Sequence, residues 1–176
     1  MSVVMNYFTV FMDVLLKPSE FFRKISRENN FIHALIFSIV FLLITTLVGD
    51  FFETMYIIEE LTIPGTIFFT EMLHLLVINA SFTMGNIISF KLLGGEGSYK
   101  DTFIIMAYST VVMPIEYLPM SPINILMGIY WVHICSRGGQ FVHNLSYWKS
   151  FFTVLAGSFV FSFLFDFTII GFVYAL

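Results

Sequence analysis

Three ionisable side chains, Glu71, His74 and Asp166, stand inside long apolar stretches of a 176-residue chain. Charged groups in such stretches are costly, which makes them candidates for moving a proton or an ion. Glu71 and His74 are three residues apart, on one face of a helix. His74 precedes Lys91 by 17 positions, and Asp166 follows Lys149 by 17. On two upright helices of opposite direction, that spacing sets both side chains about 25 Å from the same boundary. The three are expected to form an intramembrane polar cluster in the outer leaflet, as a small permease or channel would need. The competing expectation is that each reaches water on its own at the outer rim. Ser158, Ser162 and Asp166 recur every fourth residue, as do Ser81, Gly85 and Ser89. Small residues at this spacing let membrane helices approach closely.

Other chemistry is poorly supplied. His33, His133 and His143 share no ligand spacing with Glu71 or His74, and Cys135 has no second cysteine, so no metal or other cofactor is expected. No nucleophile–base pair stands out, so the chain is not expected to be an enzyme. The glycine-rich stretch from Lys91 to Lys100 lacks the Gly-Lys-Ser/Thr ending of a phosphate loop and reads as a tight connection.

The elements that must position these residues follow from composition. Apolar residues make up 58% of the chain, charged residues 11%, and phenylalanine alone occurs 23 times. A soluble globular chain carries about 25% charged residues. A net charge of −4 argues against nucleic acid as a partner. The chain is expected to be an integral, multi-pass membrane protein whose main partner is the lipid bilayer.

Charge-poor stretches give five hydrophobic segments, about Phe31–Gly49, Ile63–Phe90, Thr102–Leu118, Met120–Ser136 and Ser150–Leu176. They are expected to be helices, since open backbone cannot sit in lipid. The fold class is therefore all-α, a polytopic helix bundle. The third and fourth segments are short, and Pro114, Pro119 and Pro122 cluster at their junction. They are expected to form a hairpin, either crossing or re-entrant. Lys17, Arg23, Lys24, Arg27, Lys91, Lys100, Arg137 and Lys149 all fall before or between segments on one side, opposite the acidic loop with Asp50, Glu53, Glu59 and Glu60. The positive-inside rule then sets the N-terminus in the cytoplasm and the C-terminus outside or in a lumen.

Two units follow, a cytoplasmic arm over 1–30 and a five-span domain over 31–176. Residues 3–16 are too few to span and suit an interfacial helix. Pro18 breaks it, with Ser19 expected to cap a second short helix. Phe21 and Phe22 are expected to face lipid or the bundle, and Arg23, Lys24 and Arg27 anionic headgroups. Together the five form a candidate docking or headgroup-contact surface.

Leu93-Gly94-Gly95-Glu96-Gly97-Ser98-Tyr99-Lys100-Asp101-Thr102-Phe103, followed by Ala107-Tyr108-Ser109 and Pro114, resembles the central signature of the Yip1 domain family. Leu16-Lys17-Pro18-Ser19-Glu20-Phe21-Phe22 and His143-Asn144-Leu145-Ser146 are similar to two further motifs of that family, in the same order. The resemblance runs over about residues 14–175. It marks Gly94, Gly95, Gly97, Tyr99, Tyr108 and Pro114 as signature positions and implies a five-span protein with a cytoplasmic N-terminus. It also implies a role in membrane trafficking, with other membrane proteins, a second copy or a prenylated small GTPase as partners, in the endoplasmic reticulum and Golgi of eukaryotes or a prokaryotic plasma membrane. The arm here is short and lacks the acidic Asp-Leu-Tyr-Gly-type motif of eukaryotic members, so the chain looks like the compact prokaryotic form. A membrane adaptor or organiser is the leading functional expectation, and the permease the alternative.

Overall fold

The structure is a computed structural model that describes residues 6–26, 31–56, 64–116, 118 and 121–159, apart from the side chains of 50, 53–56, 64–71, 74, 116 and 121. Among the described residues the fold is all-helical. The elements are α1 (Tyr7–Leu16), α2 (Pro18–Ile25), α3 (Phe31–Tyr56), α4 (Pro64–Leu92), α5 (Tyr99–Ser109), a 3-10 turn (Thr110–Val112), α6 (Met113–Glu116) and α7 (Ser121–Val142), then helical residues 147–159, here α8.

Local chemistry sets the boundaries. Asn6 caps α1 by accepting from the Phe8 N–H at 3.1 Å. The next helix starts at Pro18 with Lys17 in the cap position, so Ser19 is not the cap the sequence suggested. Proline is preorganised for the first helical position, where its missing N–H costs nothing. The Schellman arrangement that ends α4 has Gly94 at φ 84°, its N–H donating to Lys91 O at 3.1 Å and the Gly95 N–H to Phe90 O at 2.8 Å. Ser98 and Asp101 close a capping box over α5.

Among the described residues, two helical stretches are long and apolar enough to cross a membrane, Phe31–Gly49 with mean hydropathy 2.6 and Leu75–Leu92 with 1.4. Ile32, Ile36, Leu47, Met84, Ile88 and Phe159 are exposed along the bundle wall, as lipid-facing side chains would be. The third hydrophobic segment is not one helix. It breaks at Thr110–Val112 and resumes as α6. Pro114 explains the break, because its ring would collide with the carbonyl of Thr110 in a continuous helix. The rest of the last segment, 160–176, lies outside the described residues.

Polar side chains within the helices turn back on their own backbone. Thr45 donates to Phe41 O at 2.8 Å, Thr83 to Asn79 O at 2.8 Å, and Ser136 to Val132 O at 2.6 Å. Such bonds satisfy a hydroxyl without water.

The arm is part of the bundle. Val10, Val14, Phe21, Phe22 and Ile25 belong to the same core as Phe37, Tyr108 and Ile134. Tyr7 stacks on His33 at 5.0 Å, and Phe11 on Phe41 at 5.6 Å, so α1 ascends alongside α3. At the top the Tyr130 hydroxyl donates to Leu15 O. α2 then returns, with Phe21 edge-on to Tyr108 at 4.8 Å and the Arg23 guanidinium 5.0 Å from the Phe141 ring centre. The described part of the 1–30 arm thus shares one core with the helices that follow it. Five apolar side chains on one face of the α1–α2 hairpin gain more by entering the core than by lying on headgroups.

Candidate functional site

The end of α4, the start of α5 and the end of α7 meet around His143. There the Gly94–Gly97 loop and the His143–Leu145 turn clasp each other. His143 has no exposed surface. Its ring stacks on Phe90 at 4.4 Å with 19° between planes. Its Nε2 lies 2.9 Å from Thr102 Oγ1. The Thr102 hydroxyl also reaches Ser98 O at 3.3 Å, which suits an imidazole that donates from Nε2 while Thr102 donates onward. Nδ1 is buried with no hydrogen-bond partner among the described residues.

Backbone bonds tie the same pieces together. The Glu96 N–H donates to His143 O at 3.1 Å, and the Asn144 side-chain amide donates to Glu96 Oε2 at 3.3 Å. Asn144 itself adopts φ 56°, a left-handed turn that asparagine tolerates. The glycines serve different needs. A Cβ on Gly94 would meet nothing, but φ there is +84°. A Cβ on Gly97 would lie 2.6 Å from His143 Nδ1, and one on Gly95 2.8 Å from Phe90 O. Burial lowers the His143 pKa to about 4; nearby Asp101 opposes the shift and Lys91 adds to it. The ring is therefore neutral near pH 7. It serves as a packed, uncharged wedge between loops.

A second node lies beside it. The Tyr108 hydroxyl and His33 Nδ1 are 2.8 Å apart, and Phe37 and Phe21 pack on the Tyr108 ring. On the outer surface Arg137 lies 4.4 Å from the Tyr147 ring centre and donates to Gln140 Oε1 at 3.0 Å. Charged and aromatic groups at this end thus brace α2, α4, α5, α7 and α8 together.

The Yip1 domain model matches residues 12–170 of this chain. The chain belongs to the Yip1 domain family. No curated protein and no solved structure gives a significant match. The match begins inside α1, in agreement with a hairpin that is integral to the fold. Within this Yip1 domain the signature positions separate by location. Gly95, Gly97 and Tyr108 are buried, whereas Gly94 and Tyr99 are exposed and Pro114 is half-buried in α6.

The expected docking surface divides. Phe21 and Phe22 are buried in the core, where Phe21 packs against Phe22 and Tyr108. Arg23 and Lys24 are exposed, and Arg27 lies outside the described residues. Of the proposed polar cluster, Glu71 and His74 fall in α4 with their side chains outside the description, and Asp166 lies outside the described residues. The Gly85/Ser89 stripe does meet α8, but through Gly157 rather than Ser158. A Cβ on Gly157 would lie 2.6 Å from Ser89 Oγ. Phe90, which stacks on His143, carried no signal in the sequence, whereas Thr102 stood only as one position within the signature stretch, with nothing to pair it with His143.

Proposed function

We propose that this Yip1 domain protein is a membrane adaptor that presents a braced surface at its basic end to protein partners. The observation that supports this best is the surface of the 91–100 loop. Leu92 is 81% exposed, and Leu93 and Tyr99 are also exposed, while the loop beneath them is pinned by His143 and Asn144. Apolar side chains held on a preorganised loop reduce the entropy lost on association. Lys91, Glu96 and Lys100 give this patch a polar rim. By the positive-inside rule this end faces the cytoplasm, in a five-span topology. Membrane proteins of related type, a second copy of the chain and small GTPases are the partner classes that the family suggests.

The test is affinity purification of the tagged full-length chain from its native membrane in mild detergent. It is run beside Leu92→Glu/Leu93→Glu and an unrelated polytopic control. A protein that co-purifies with the wild type and is lost from the double variant supports the adaptor reading. Co-purification unaffected by the variant, or of lipid alone, rejects this surface. Solute flux in liposomes with Asp166→Asn would then test the permease alternative.

A further inference from the structure

Arg137 is a half-buried cation held by neutral partners. Its guanidinium lies 4.4 Å from the Tyr147 ring centre, and its Nη1 donates to Gln140 Oε1 at 3.0 Å. Its Nε is buried with no hydrogen-bond partner among the described residues. Among those residues the side chain meets no carboxylate. The sequence has no Asp or Glu between Glu116 and Asp166, so none stands on α7 or on the described part of α8. A half-buried guanidinium without an anion is poorly compensated. Tyr147 is fixed against it by a second contact, its hydroxyl 2.9 Å from His133 Nδ1.

This corner lies at the edge of the apolar length, with its apolar strip leading inward. His143 stacks on Phe90, two positions before the apolar stretch Leu75–Leu92 ends, so the His143 turn marks a boundary of that stretch. Arg137 is six residues before His143 on α7, about 9 Å of helix. Its side chain packs on Tyr147, which opens α8 just after the turn. From there α7 runs away from the boundary. Leu126 and Ile129 share the face of His133 and Arg137, at spacings of three and four residues, and both are well exposed. Leu126 is about 16 Å of helix from Arg137, close to half of a hydrocarbon core about 30 Å thick. Trp148 and Lys149 are exposed beside the turn itself, the level at which such side chains anchor in headgroups.

We propose that this corner of α7 and α8 binds an anionic phospholipid, its phosphate on the Arg137 guanidinium and an acyl chain along Ile129 and Leu126. Arg137 keeps N–H donors with no acceptor among the described residues, and a guanidinium fork suits a phosphate. Lys149 adds a second positive charge at the start of α8. Two cations and no carboxylate favour a headgroup of net negative charge over a zwitterion, whose amine would find no anion here.

Native mass spectrometry of the full-length protein in detergent, titrated with phosphatidylglycerol or phosphatidylethanolamine, tests this. Phosphatidylglycerol is expected to be retained more strongly. Arg137→Gln should weaken its retention about five- to tenfold and bring the two lipids level. Lys24→Gln removes one exposed charge elsewhere and should leave retention unchanged. Leu126→Ser/Ile129→Ser should weaken retention of both lipids with the charges intact. Inorganic phosphate should not displace the bound lipid. Melting in detergent verifies that each variant is folded. If Arg137→Gln fails to fold, the Leu126/Ile129 pair and Lys149→Gln carry the test, and Lys149→Gln should narrow the preference for phosphatidylglycerol. Equal retention of the two lipids by the wild type, unchanged retention by any folded variant of the corner, an equal loss in Lys24→Gln, or displacement by inorganic phosphate overturns the proposal. Each outcome is independent of whether a protein binds at Leu92 and Leu93.

Discussion

His143 and Thr102 are 41 residues apart in the chain, and their side chains meet at 2.9 Å. That contact joins the start of α5 to the end of α7, and Phe90 adds the end of α4 to the same ring. Three helix ends of the bundle, from two connections, thereby converge on one uncharged imidazole.

The clasp should weaken in acid. The His143 pKa is lowered by burial to about 4, against an ordinary value of 6.5. A lowered folded-state value means that protons bind the opened state more readily. The full contribution is present above pH 6.5 and is lost progressively as pH falls to about 4. The difference corresponds to roughly 3 kcal/mol. Melting temperature in detergent should fall across that window for the wild type, and much less for His143→Gln. Parallel pH profiles for the two proteins would reject His143 as the responsible group.

Gly97 and Gly94 should respond to alanine for different reasons. Gly97→Ala drives a Cβ to within 2.6 Å of a buried ring, an overpacking expected to cost about 1–3 kcal/mol or more. Gly94→Ala meets open space and costs only the strain of φ +84°, about 1 kcal/mol. Gly94→Asn should be milder still. Pairing Gly97→Ala with His143→Ala should recover part of the loss, a coupling that a double-mutant cycle in thermal melts reads directly.

Phe22→Ala should destabilise the whole domain by about 3–5 kcal/mol, because the side chain is fully buried. Arg23→Ala, on the exposed face of the same helix, should cost well under half of that. If the arm were a detachable surface helix, the two would be alike in thermal melts. Limited proteolysis offers a second readout, with Phe22→Ala cut within α1–α2 and Arg23→Ala resistant.

Periodicity and charge spacing made much of the helical plan legible. Phe31–Gly49 follows from one uninterrupted apolar run, whereas the start of α5 at Tyr99, three residues before the expected Thr102, is set by the Ser98–Asp101 capping box. The glycine loop and the His143 turn were legible only as separate motifs. Their contact depends on how α4 and α7 end and α5 begins at a common level, a tertiary property that no local pattern encodes. The arm left two alternatives open for a related reason. Phe21, Phe22 and Ile25 beside Arg23 and Lys24 describe an amphipathic helix equally well on a membrane or on a protein core. The interior of the Tyr108 node decided between them, since Tyr108 offers its ring face and edge to Phe21 and Phe37.

The crossing of α4 and α8 should depend on the absence of a side chain at Gly157. A Cβ there would lie 2.6 Å from Ser89 Oγ and 3.2 Å from Ser89 Cβ. Ser89 is not free to turn away at no cost, because its hydroxyl donates to Gly85 O at 2.9 Å. Gly157→Ala therefore either breaks that bond or spreads the helices, at about 1–3 kcal/mol. Ser89→Ala alone removes one exchangeable hydroxyl bond and should cost less than 1.5 kcal/mol. In the Ser89→Ala background the nearest colliding atom is gone, and Gly157→Ala should become clearly milder. Helix stability alone predicts the opposite sign for the single change, since alanine is the better helix former by about 1 kcal/mol. A detergent melt of the four proteins in this cycle separates the two effects. Stabilisation by Gly157→Ala in both backgrounds would show that α4 and α8 do not meet at this point.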